Sequence, residues 1–234
     1  MVQASESPPP PPFEGFAPVA FEFLRELAAR QDREWMARNK AVYERSLRDP
    51  MASLVAAVSE GLAEAGSPLR GDPRRSVFRI HRDTRFSKDK RPYKTNIGAT
   101  LTRDGAKLSP GLLYVHIDPA GPFLAAGFYH PEPPTLHRLR RRLAERPDEW
   151  RETRARLAEA GLELSRGEAL TRPPRGYEEV SDPDIGDVLK LKSWIVSSPL
   201  EETDTYDPAL PQRIVRFAQA ADPLLSFGWT AIDG

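Results

Sequence analysis

Residues 74–94 carry nine Lys or Arg and two Asp, a local excess of seven positive charges in a chain of net charge zero. A basic patch confined to one stretch attracts an anion or a carboxylate-rich partner, whereas a uniformly basic chain would suit general polyanion binding. Arg79, Arg82 and Arg85 are separated by two residues each, and Lys90, Tyr93 and Lys94 follow them. Forked guanidinium donors, a phenol and ammonium groups are the donors that a phosphate or carboxylate cradle needs. Asp83 can hold one arginine in a two-bond fork and leave the others free. Ser87 and Asp89 favour tight local turns, and Pro92 stiffens the approach to Tyr93 and Lys94.

The site expected from these residues is a ligand site made of Arg79, Arg82, Asp83, Arg85, Lys90, Tyr93 and Lys94, taking a small phosphorylated or carboxylated molecule. In an enzyme, the arginines would stabilise negative charge in the transition state. Asp83 would orient an arginine or act as base, and Tyr93 or Lys90 would donate a proton. Two other readings fit the same residues. The loop could be an internal salt-bridge network of a non-catalytic interaction protein, with Arg79 on Asp83 and Lys90 on Asp89. It could also contact RNA or DNA together with the run Arg138–Arg142.

The elements that must position these groups follow from periodicity. Three helices are expected over 18–65: Phe21, Leu24 and Leu27 share a face, Asp32 is a suitable N-cap, and Met51, Leu54, Val55, Val58 and Leu62 keep helical spacing. The period then changes. Val77–Arg82, Asn96–Thr102, Leu112–Ile117, Phe123–Tyr129 and Lys190–Ser197 read as strands, with turn signals at Asp104-Gly105 and Ala120-Gly121. Strict alternation puts Arg79 and Arg82 on opposite faces, so a bend is needed to bring the arginines together. The charged loop from Asp83 to Thr95 is too long for a tight hairpin, and loops of that length are often functional. Residues 133–160 are expected to form two helices, 161–185 a loop and Leu210–Ala221 a last helix. The fold class is α+β, an antiparallel sheet of about five strands packed by N-terminal and later helices. Residues 1–12, with five consecutive prolines, read as a disordered tail, and 13–234 as one domain.

At this point the residues match a known pattern. Phe16-Ala17-Pro18 with Phe23-Leu24, Trp35 to Lys40 with Tyr43, Arg79-Ile80, Arg82-Asp83, Arg85-Phe86-Ser87, Asp89-Lys90, Pro92-Tyr93-Lys94 and Asn96 resemble the DUF2461 family, uncharacterised bacterial and fungal proteins. The resemblance covers roughly residues 13 to 220 and implies a mixed α and β fold. It implies no activity, and it makes the basic loop the signature of the pattern.

Other chemistry is limited by what the chain lacks. Without cysteine, a disulfide framework, a thiolate zinc site and a Cys nucleophile are excluded. His130 and His137 are seven apart across prolines, with no helical i, i+4 pair. His81 and His116 on neighbouring strands, with Asp118 or Asp83, are the nearest approach to a metal set, and no metal is expected. There is no glycine-rich phosphate loop and no nucleophile elbow, so no cofactor is expected. No apolar run is long enough to span a membrane, the N-terminus does not resemble a signal peptide, and the expected location is cytoplasmic. The acidic run Glu201, Glu202 and Asp204 is expected to be a solvated loop, with pairing to the basic loop as the alternative.

Overall fold

The computed structural model describes residues 9–85 and 87–234. The first eight residues of the expected tail and Phe86 of the basic loop lie outside the described residues. Helix α1 (Pro18–Arg30) buries Phe21, Leu24 and Leu27, the face that the spacing predicts. Asp32 caps α2 (Arg33–Tyr43) by accepting the Glu34 backbone N–H at 2.8 Å. A π turn at Glu44–Arg48 runs into α3 (Asp49–Glu64), whose Met51, Leu54, Val55, Val58 and Leu62 are buried.

Four strands follow the helices as an antiparallel sheet in sequential order: β1 (Ile97–Thr102), β2 (Leu112–Ile117), β3 (Phe123–Phe128) and β4 (Trp194–Pro199). The α+β class and the antiparallel meander are as the sequence predicts. The expected first strand, Val77–Arg82, makes only isolated bridges, Val77 to Ala99 and His81 to Tyr93. It trails along the free edge of β1 as an irregular extension of the sheet.

Period-2 alternation divides the two faces. In β2, Leu113, Val115 and Ile117 are buried, while Leu112, Tyr114 and His116 are half-exposed. The inner face packs on α3 and on α7 (Leu210–Asp233). The approach of α7 to β3 is close: a Cβ at Gly228 would sit 2.2 Å from the Phe128 ring. Helices α4 (Pro133–Glu145) and α5 (Pro147–Glu159) complete that layer, with Trp150, Trp194 and Phe227 in mutual ring contact.

Two elements differ from the expectation. Helix α6 (Pro183–Lys190) occupies the end of the expected loop and the start of the expected last strand; Asp182 caps it by accepting the Asp184 N–H at 2.9 Å. Helix α7 continues a dozen residues past Ala221, through Pro223. Proline removes one helical hydrogen bond. Burial of Leu224, Leu225, Phe227 and Trp229 outweighs that loss, at roughly 1.5–3 kcal/mol for each fully buried large apolar side chain.

Candidate functional site on the outer face of the sheet

The edge segment folds as it does because its backbone is tied to β1. Arg70 and Thr102 exchange backbone hydrogen bonds at 2.9 and 3.0 Å, and the Phe78 N–H donates to the Gly98 carbonyl at 2.9 Å. Further on, the Arg82 N–H donates to the Pro92 carbonyl at 2.9 Å and the Lys94 N–H to the Ile80 carbonyl at 2.7 Å. These bonds pinch the basic loop into a neck at residues 80–82 and 92–94 and a charged tip between them.

The tip is a salt-bridge network. Arg85 forks onto Asp83, Nε to Oδ1 at 3.0 Å and Nη2 to Oδ2 at 2.7 Å. Asp89 accepts from Arg91 at 2.7 Å and from Arg82 Nη1 at 2.5 Å. Lys90 Nζ donates to the Thr84 carbonyl at 2.9 Å. The Arg85 fork holds Asp83 at about 2, and Arg91 and then Arg82 hold Asp89 well below the usual carboxylate range. Asp83 is therefore ionised near neutrality and bonded to Arg85. Tyr93 is buried, its ring 5.2 Å from that of His81 and its N–H donating to Gln31 Oε1 at 3.1 Å.

Arg79 and Lys94 belong to a different place. The neck turns Phe78 onto the outer face, where its ring centroid is 6.1 Å from that of Tyr114. Lys94 Nζ lies 5.2 Å from the Phe78 centroid, and Lys107 Nζ lies 4.9 Å from it. Lys107 arrives from the loop between β1 and β2. Thr100 and Thr102 hold that loop over the outer face by donating to the carbonyls of Lys107 and Ala106, each at 2.7 Å. Lys107 Nζ itself donates to the Val77 carbonyl at 2.7 Å. Among the described residues, no carboxylate forms an ion pair with Arg79, Lys94 or Lys107. Burial, then the charge of Arg79, pushes the Lys94 ammonium below its ordinary value. Burial, then Lys94 and Arg79, does the same to Lys107. These are three like charges with no counter-ion among the described residues.

Beside them on the same face stands a polar chain. Tyr114 and His116 share the face by alternation, and Asp118 follows at the strand end. His116 Nδ1 is 2.9 Å from the Tyr114 hydroxyl and 2.9 Å from Asn96 Nδ2, and His116 Nε2 is 3.5 Å from Asp118 Oδ2. Asn96 Nδ2 also lies 3.4 Å from Nε2, over the ring and off either lone pair; the Asp118 carboxylate, which only accepts, is the neighbour that favours the proton on Nε2 and leaves Nδ1 to accept from the Tyr114 hydroxyl. Asp118 is fixed in turn by accepting the Ala120 N–H at 2.8 Å. Burial lowers the His116 pKa against the opposing pull of Asp118, which favours the neutral ring. Burial, with Asp118 and Tyr129 adding to it, raises the Tyr114 phenol to about 12.

Of the seven sequence candidates, the fold therefore brings Lys94 to the outer face, with Arg79 near enough for its charge to act on it. It gives Arg82, Asp83, Arg85 and Lys90 partners within the loop tip and buries Tyr93. Lys107, Phe78 and Asn96 were not singled out by sequence reasoning as site residues, and Tyr114 only as a strand aromatic that could stack a base or pack in the core. Their meeting depends on strand register, which local residue types do not announce. His81 and His116 do not form a pair, and no group of three His, Asp or Glu among the described residues is placed to hold a metal ion.

The other charged runs are also engaged. Arg138 donates to the Ile232 carbonyl at 2.7 Å, Arg140 to the Leu191 carbonyl at 3.2 Å, and Arg142 to Glu149 at 2.5 Å. Arg138 and Arg141 are nonetheless exposed, and Arg140 and Arg142 are partly buried. The acidic run pairs away from the basic loop, Glu202 with Arg25 and Asp204 with Arg213.

A protein-family comparison covers this whole arrangement: the pattern described as "Conserved hypothetical protein (DUF2461)" matches residues 19–227. The chain belongs to the DUF2461 family. The matched span contains the basic loop, β1 to β4 and nearly all of α7, so every residue of the outer-face site lies within the family region. No curated protein and no solved structure matches the chain. Among the described residues, no helix is long and apolar enough to cross a membrane.

Proposed function

We propose that this protein binds a small phosphorylated or carboxylated molecule on the outer face of its sheet, with Arg79, Lys94 and Lys107 holding the anion. The observation that carries the reading is the pairing of Lys94 and Lys107 over Phe78, with the charge of Arg79 acting on both and no carboxylate partner among the described residues. Like charges held together in a half-buried place destabilise one another, and a bound anion reverses that cost. Phe78 and the Tyr114 ring supply an apolar floor for the uncharged part of the ligand. Nucleic acid is less well served, because three of the arginines in α4 are engaged within the fold. A cytoplasmic setting, rich in phosphorylated metabolites and compatible with a cysteine-free chain, goes with this reading.

Calorimetric titration with pyrophosphate at low ionic strength tests it. Charge-assisted hydrogen bonds are worth roughly 1.5–3 kcal/mol each, so Lys94→Met or Lys107→Met should weaken binding about tenfold or more. Arg82→Ala should leave it within a few-fold. Loss of binding in Arg82→Ala, with retention in Lys94→Met, would move the site to the loop tip.

A further inference from the structure

We infer that Tyr114, His116 and Asp118 form a proton relay directed at the ligand on the outer face, which makes the anion site a place for acid–base chemistry. The inference rests on the anion-binding reading above and adds a chemical step to it. Its first support is geometric. The Tyr114 hydroxyl lies 2.9 Å from Nδ1, while the Asp118 carboxylate, an acceptor, stands 3.5 Å from Nε2 on the far side of the ring. A histidine with only a packing role needs one such partner, whereas here a fixed tautomer is aimed at a phenol.

Its second support is Gly98. This residue sits within β1 opposite His116, at a position where glycine weakens a strand. A Cβ there would lie 2.6 Å from the Tyr114 hydroxyl and 2.8 Å from its Cε2. The missing side chain is the space in which the phenol lies, and that placement brings its oxygen to His116. Tyr114 also packs edge-on against Phe78, whose ring carries the two lysines, so the phenol and the cations share one floor.

The proton path balances without a further reactant. A ligand O–H or C–H proton passes to the phenol oxygen as the phenol's own proton moves to His116 Nδ1. The resulting imidazolium faces the Asp118 carboxylate through Nε2–H, and Arg79, Lys94 and Lys107 face the anion left on the ligand. Reversal returns the proton. The neutral imidazole favoured by burial and the protonated phenol are the starting states that this path needs. The titratable and charged groups recorded against His116 among the described residues are Tyr114 and Asp118, Tyr129 acts in turn on Tyr114, and the two lysines lie beyond the Phe78 ring that Tyr114 touches.

The test uses the full chain and sulfate, which carries no titratable proton near neutrality. His116 side-chain resonances are followed against pH by NMR, with and without saturating sulfate. The free protein should show the proton on Nε2. Bound sulfate should raise the His116 midpoint by roughly one pH unit per unit charge, for a separation on the order of 10 Å at an effective dielectric of about 20. Lys94→Met/Lys107→Met should abolish that shift. Sulfate binding without any movement of the midpoint would overturn the relay and leave the anion site standing. Failure of sulfate to bind would overturn the anion site and the inference with it. A proton on Nδ1 in the free protein would overturn the relay whatever sulfate does.

Discussion

Replacing Lys94 by methionine should leave the protein as stable as before, or more stable by up to about 1 kcal/mol, while anion binding falls. The reasoning starts from two distances. Lys94 Nζ and Lys107 Nζ are 5.2 and 4.9 Å from one ring centroid, so they stand no more than about 10 Å apart. Two like charges at ~10 Å repel by roughly 1 kcal/mol at an effective dielectric of about 20 to 40, and Arg79 adds a further share. Against this stands the loss of the cation–π contact with Phe78, worth about 0.5–1 kcal/mol at a partly exposed site. Methionine keeps most of the stem volume, and among the described residues Lys94 Nζ makes no hydrogen bond that would be lost. The two effects nearly cancel, with a remainder that favours the variant. Urea denaturation at low salt, with and without sulfate, measures both parts. Sulfate should stabilise the wild type and lose most of that effect in Lys94→Met. Destabilisation by more than about 1 kcal/mol without sulfate would mean that the Lys94 charge is compensated in the fold, and the electrostatic argument would fail.

Three further outcomes follow from the packing and the polar chain. Trp35 is buried against Phe23, so Trp35→Ala should cost about 3–5 kcal/mol in denaturant titrations; a near-neutral result would point to an exposed role. Gly98→Ala should displace the Tyr114 ring. An overpacking cost of about 1–3 kcal/mol, less the roughly 0.5–1 kcal/mol gained from the reduced backbone freedom of alanine, leaves a modest loss with a raised His116 midpoint. An unchanged histidine resonance in that variant would separate the phenol from the ring. Because burial lowers the folded His116 pKa, its contribution to stability is full above the unfolded value near 6.5 and falls as pH drops through the folded value. His116→Gln should flatten that part of the stability–pH curve, and an unaltered slope would place the dependence elsewhere.

Helices with one clear apolar stripe, such as α1 and α3, were legible in the chain because 3.6-residue spacing maps directly onto one buried face. Among the strands, β2 shows the period-two pattern, whereas β1 and β3 are buried almost throughout and were marked by the turn signals at Asp104-Gly105 and Ala120-Gly121. Helix α7 outruns the expected end at Ala221 because burial of the residues around Pro223 outweighs that local breaker, and α6 was missed because its capping run lay in a stretch rich in prolines. The density of charge between Arg74 and Lys94 correctly drew attention to one region of the chain. It could not separate the self-neutralising tip from the neck, since carboxylate pairing within two residues, as in Asp83 with Arg85, depends on side-chain geometry. Nor could it supply Lys107, which reaches the same ring only because Thr100 and Thr102 fold the following loop back over the sheet.

The anion site itself is tested most directly by anomalous diffraction from crystals soaked in selenate. An anomalous peak bounded by Arg79, Lys94 and Lys107 above Phe78, absent from crystals of Lys94→Met/Lys107→Met, is the predicted result. A peak confined to Arg82, Arg85 or Lys90 at the loop tip, or no peak on the outer face at saturating selenate, would contradict it.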